Sequence, residues 1–100
     1  EHLVRGRRSF SGTVMGSSPG KIHVLLDEPP VEVKVYFYHL EHQRRSRVSA
    51  TDDGVAVVEE HDGKQTTLCR VGDGVRVGVV DKDSRRDRWV MSLHPKGEPC

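Results

Sequence analysis

"VEVKVYFYHLEHQRRSR", residues 31–47, is where one kind of backbone gives way to another. Its first eight residues alternate. Val31, Val33, Val35 and Phe37 fall on one side, and Glu32, Lys34, Tyr36 and Tyr38 on the other. A period of two in β-branched and aromatic residues predicts a strand with one buried face. From His39 the alternation stops, and residues 39–47 read as a short helical turn followed by a basic loop. A helical turn set among strands separates the small β-architectures open to this chain.

Toward the N-terminus, "SFSGTVMG" (residues 9–16) predicts the first strand, with Phe10, Gly12 and Val14 on one face. "SSPGK" is a turn by its Ser, Pro and Gly content. "IHVLLD" (residues 22–27) predicts the second strand, with Ile22, Val24 and Leu26 inward and His23, Leu25 and Asp27 outward. "EPP" then ends the ladder, because proline has no N–H to donate.

Toward the C-terminus, "GVAVVEEHDGKQTTLCRV" (residues 54–71) predicts a small extra hairpin about Asp62-Gly63, a pair that favours a type I′ turn. Val75, Val77 and Val79 are the inward set of the next strand. Trp89, Met91 and Leu93 are the inward set of the last, which assigns Trp89 to the core. Between these two strands lies a charged turn, "DKDSRRDR", residues 81–88.

These elements predict an all-β domain: a five-stranded antiparallel, partly closed barrel with a short helical turn between strands 3 and 4 and an extra small hairpin. An SH3-like barrel competes, but the helical element favours an OB-fold. Residues 9–94 form that domain. Residues 1–8, "EHLVRGRR", read as the end of a helix connecting from an upstream domain, and residues 95–100 as a tail.

The chain has 100 residues and a net charge of +1, with 16 Lys and Arg against 15 Asp and Glu. Balance in the total does not exclude nucleic acid, because distribution decides. Arginines cluster at Arg5, Arg7 and Arg8, at Arg44, Arg45 and Arg47, and at Arg85, Arg86 and Arg88. Asp52, Asp53, Glu59, Glu60 and Asp62 form a separate acidic block, expected off any phosphate path. No apolar run is long enough for a membrane helix. Cys69 and Cys100 make no CxxC pair; Cys69 reads as a free core thiol, and a reducing, cytoplasmic setting is expected.

Over residues 9–93 the sequence resembles the S1 RNA-binding domain, an OB-fold. The resemblance rests on Gly12-Thr13-Val14 in the first strand, Gly72-Asp73-Gly74-Val75 before the fourth and the closing Met91-Ser92-Leu93. The hairpin at 54–71, the leading "EHLVRGRRSFSG" and "DEPPVEV" are similar to the C-terminal S1 domain of ribonuclease II/R-type (RNB) exoribonucleases. His23 stands where that family often has an aromatic residue, and Tyr36 where it often has a histidine.

The resemblance implies single-stranded RNA as the partner, held for processive 3′→5′ degradation. It implies an upstream catalytic domain in contact with this one, and Mg²⁺ in that missing domain rather than here. A monomer is expected. On an OB-fold face, His23, Tyr36 and Tyr38 would make the stacking platform. The resemblance places Asp81 and Arg88 at nucleic-acid-contacting positions. Arg85 and Arg86 would add attraction to phosphate, and Arg44, Arg45 and Arg47 would extend the track. The alternatives are an S1 domain of another RNA-processing, translation or transcription factor, or a barrel for protein contacts.

Residues that bind rather than catalyse are expected. His39, Glu41 and His42 lack a further ligand for a metal site. No Ser–His–Asp arrangement stands out in the sequence. Glu59 and Glu60 are neighbours on a strand, so they point to opposite faces.

Overall fold

Among the described residues the chain forms eight strands and one helix. They are β1 (Ser9–Ser18), β2 (Lys21–Leu26), β3 (Glu32–Tyr36), α1 (Phe37–Arg44), β4 (Arg47–Ala50), β5 (Ala56–His61), β6 (Lys64–Arg70), β7 (Gly74–Asp83) and β8 (Arg88–Pro95). The structure, a computed structural model, describes residues 9–51 and 56–95. The expected connecting helix at 1–8, the acids Asp52 and Asp53, and Cys100 lie outside the described residues.

Five strands form one antiparallel sheet in the order β3-β2-β1-β7-β8, and three form a second in the order β4-β5-β6. Edge strands β3 and β8 lie against one another, but no ladder joins them, so the described residues make no closed barrel. Helix α1 sits beside this gap. Gln43 Nε2 donates to the Met91 carbonyl at 2.9 Å, and Arg44 Nη1 to the Leu93 carbonyl at 3.1 Å. Two helix side chains thereby cover acceptors on the outer edge of β8, which an open strand would present to another chain.

The inward sets meet in one core. Val14, Ile22, Val24, Leu26, Val35, Val75, Val77 and Leu93 come from the large sheet, Val48, Val57, Leu68 and Cys69 from the small one, and Leu40 from α1. Burying Leu40 contributes about 1.5–3 kcal/mol and anchors a helix too short to persist alone. Gly12 is required on β1. A Cβ there would lie 2.8 Å from the Leu25 carbonyl oxygen and 2.9 Å from Val24 Cγ1.

Bulges account for the places where period two breaks. An extra residue at Leu68 lets both Leu68 and Cys69 turn inward. Burial pushes the Cys69 thiol up to about 11, so it stays protonated as a core thiol. The Asp62-Gly63 turn has φ of 55° and 79°, the paired positive values of a type I′ turn.

Four expectations are corrected. The third strand ends at Tyr36, not Tyr38; Phe37 and Tyr38 open α1. The alternation ran on into the helix because Phe37 still packs on the core, while its N–H turns to the Gly20 carbonyl at 2.9 Å. Val31 precedes β3 and is exposed. The basic loop contains a strand, β4, so the extra hairpin is part of a three-stranded sheet.

Trp89 is not in the core; it is 44 % exposed. It does alternate with Met91 and Leu93, but the described β1–β7 ladder stops at the Ser9–Gly78 pair. Beyond it, among the described residues, β7 and β8 continue as a two-stranded ribbon, and Trp89, opposite Lys82, lies past the last described β1–β7 pair.

Candidate functional site

The β7–β8 ribbon bends because Val80 is an extra residue, placed between the Val79–Met91 and Asp81–Val90 pairs. The pairs beyond it alternate in direction. Asp81, Asp83, Arg88 and Val90 share one ribbon face, and Lys82 and Trp89 the other. The first face packs on the aromatic residues where β3 passes into α1.

That contact is an array of rings and guanidiniums. Arg88 lies over Tyr36, 4.2 Å from the ring centroid, and its Nη1 donates to the Tyr38 hydroxyl at 2.9 Å. Arg86 lies 4.7 Å from the Tyr38 centroid. The Tyr36 and Tyr38 centroids are 5.7 Å apart, and His39 meets Tyr38 at 4.2 Å. Lys21, opposite Tyr36 on β2, reaches to 5.9 Å from its ring. Cations over aromatic faces are attracted by the ring quadrupole, by about 0.5–1 kcal/mol at exposed sites.

Asp83 fastens the array. It accepts from His39 Nε2 at 3.2 Å, and its other bonds come from the Arg86 backbone N–H at 3.3 Å and Arg86 Nη1 at 3.1 Å. The bond from His39, reinforced by Arg86, holds the Asp83 carboxyl below the usual carboxylate range. The hydrogen bond to Tyr38 shifts Arg88 upward, so it remains cationic. His39 is buried, and its Nδ1 has no hydrogen-bond partner among the described residues.

The expected site residues therefore separate. Tyr36, Tyr38, Arg86 and Arg88 come together. Arg85 is exposed at the tip of the ribbon and has no polar partner among the described residues. Asp81 is exposed and accepts from the Lys82 backbone N–H at 2.7 Å, apart from the array; the organising acid is Asp83. His23 shares an outward face with Tyr36, but its ring is engaged elsewhere. Its Nε2 is 2.6 Å from Ser18 Oγ, and its Nδ1 is 3.7 Å from Glu32.

Ser18, His23 and Glu32 are thus a Ser–His–acid cluster that the sequence reading missed. Its geometry is poor for acyl transfer. The His23–Glu32 separation is too long for a hydrogen bond, and Pro19 after the serine has no N–H to stabilise an oxyanion.

The Arg44 cluster lies elsewhere. Arg44 Nε and Nη2 donate to the two Glu59 carboxylate oxygens at 2.9 and 3.3 Å, and Ser46 Oγ donates to the same carboxylate at 2.6 Å. The Arg44 guanidinium holds the Glu59 carboxyl below its ordinary value. Arg45 closes α1 in the left-handed conformation, its N–H donating to the Glu41 carbonyl. Arg47, on β4, is exposed and 3.8 Å from Glu60. The acids of this region thus face arginines, and Glu41 accepts from the Val48 N–H at 3.0 Å. Glu41, Glu59, Glu60 and Asp83 do not converge, and no group of three or more metal-ligating side chains forms among the described residues.

Sequence reasoning missed His39 and Asp83 as organisers and Lys21 and Lys82 as flanking cations. The Lys21–Tyr36 pairing was recoverable from hairpin register. The His39–Asp83 bond spans 44 positions and left no local signal. No helix among the described residues is long and apolar enough to cross a membrane. A scan against protein-family models finds no match for this chain, and a search of curated proteins finds none either.

Proposed function

We propose that this domain binds single-stranded RNA as an S1-type OB-fold, in the manner of the C-terminal domain of a ribonuclease II/R-type 3′→5′ exoribonuclease. The observation that carries this reading is the seating of Arg86 and Arg88 on Tyr36 and Tyr38. An unpaired base stacks on an aromatic or guanidinium plane with little regard to sequence, and the same guanidiniums attract phosphate. The strand order β3-β2-β1-β7-β8, with a helix following the third strand, supports the OB-type assignment. Similarity to the S1 domain in the Gly12, Gly72-Asp73 and Met91-Ser92-Leu93 segments supports the family.

The role is retention: a sequence-tolerant clamp slows loss of the strand between cleavages. Cleavage itself, and the Mg²⁺ it requires, belong to an upstream catalytic domain. Asp83 and His39 position the arginines and do not touch substrate.

Fluorescence anisotropy of labelled oligo(A) and oligo(U) across a salt series tests this. Binding should weaken with salt and fall in both Tyr36→Ala and Arg88→Ala. No binding at low salt and high protein concentration would overturn the proposal. A protein-binding barrel would instead leave the oligonucleotides free.

A further inference from the structure

The open face of the β7–β8 ribbon carries the chain's one tryptophan, exposed, with Lys82 Nζ 4.7 Å from the ring centroid. Lys82 is held over the ring by Asp87, at 3.1 Å. We infer that Trp89 is a second stacking site for a base of single-stranded RNA, on the side of the ribbon away from Tyr36 and Arg88. The inference rests on the RNA-binding reading and extends it from one face of the ribbon to both.

Three observations favour a nucleic-acid base as the occupant. First, Arg88 and Trp89 are consecutive on β8 and point to opposite faces, so the second site is continuous with the first. Second, the connecting edge is basic. Arg85 is exposed at the tip with no polar partner among the described residues, while Asp83 and Asp87 are both engaged by cations. A strand leaving the Tyr36–Arg88 face and rounding the tip meets Arg85 before Trp89. Third, the ring is ready for a planar ligand. Lys82 fixes it from the cross-strand position, and a large part of its surface remains open to solvent. Indole offers the largest stacking plane of any side chain, and Arg85 at the tip offers a guanidinium to the phosphate that accompanies the base.

An ordinary cross-strand Lys–Trp pair also stabilises a ribbon, so the test must read the ring itself. The whole chain has a single tryptophan, and its emission therefore reports Trp89 alone. Unlabelled oligo(U) is titrated into the full chain while emission and acrylamide quenching are followed, and labelled oligo(U) is followed in parallel by anisotropy. The expected result is that emission changes in step with anisotropy, that acrylamide access falls, and that Trp89→Ala weakens binding about five- to a hundredfold while Trp89→Phe retains most of it. Binding by anisotropy with emission and acrylamide access unchanged overturns the second site and leaves the Tyr36–Arg88 site standing. No anisotropy change at all overturns both. The emission arm needs no substitution, so a misfolded variant does not spoil the test.

Discussion

The pattern Arg-Arg-x-Arg occurs at residues 44–47 and again at 85–88, and the fold puts the two copies to different use. In the first, Arg44 ends a helix with its guanidinium between Glu59 and the Leu93 carbonyl, its side chain only 15 % exposed. It ties helix, small sheet and β8 together. In the second, among the described residues, no carboxylate from outside the β7–β8 ribbon reaches the arginines. Arg86 is held by Asp83 of its own ribbon, Arg88 is turned onto tyrosines, and Arg85 is exposed. Identical local chemistry becomes a structural joint where a partly buried acid waits opposite, and a cation–ring array where aromatic rings do.

The largest effect separating the two copies should come from Arg44→Ala. Among the described residues it leaves partly buried Glu59 with Ser46 as its one hydrogen-bonding side-chain donor; two charge-assisted bonds to that carboxylate and the bond to the Leu93 carbonyl are lost. A loss of about 2–3 kcal/mol is expected in urea unfolding, with RNA affinity unchanged wherever the variant is folded. Reduced affinity in folded Arg44→Ala would erase the contrast.

Arg88→Ala should do the reverse. RNA affinity is expected to drop about tenfold, and the slope of log K against log salt to shrink by about 0.7, while the unfolding midpoint shifts little. A variant that unfolds without losing affinity would make Arg88 a joint like Arg44.

Acid should act on both copies through their carboxylates. Glu59, beside Arg44, and Asp83, beside His39 and Arg86, both have folded-state values below the ordinary range. Each therefore adds stability that is fully present above the unfolded value, about 4, and is lost as pH falls through the lower folded value. Thermal melts from pH 7 to pH 2 should show this loss. Glu59→Gln should lower stability at pH 7 and flatten the acid limb; an unchanged acid limb would remove Glu59 from the account.

The smallest effect concerns the backbone. Arg45 holds φ of 55° at the helix end, where glycine is the favoured residue. Arg45→Gly should stabilise by about 0.5–1 kcal/mol, read from the denaturation midpoint, and leave RNA binding as it was. Weaker RNA binding in this variant would return Arg45 to the nucleic-acid track.

Much of the frame was legible in the residues alone. The valines at 75, 77 and 79, the apolar positions 22, 24 and 26, and the Asp62-Gly63 turn encode their conformation through period and turn preference, which act within a few residues. Legibility failed where a remote partner decides. Alternation through Tyr38 looked like a continued strand, whereas the helix begins at Phe37, held by the seat for Leu40 and the β8 carbonyls for Gln43 and Arg44.

By itself, the sequence determined a mostly β chain, most of its inward faces, a helical break after the third strand and a charged turn before the last. The tertiary structure decided which arginines are joints and which are exposed, that Asp83 rather than Asp81 organises the turn, and that Trp89 lies outside the core. The physical reason is range. Periodicity and turn chemistry are local, whereas the Arg44–Glu59, His39–Asp83 and Arg88–Tyr38 contacts join residues 15, 44 and 50 positions apart. Their partners exist only once the sheets have packed.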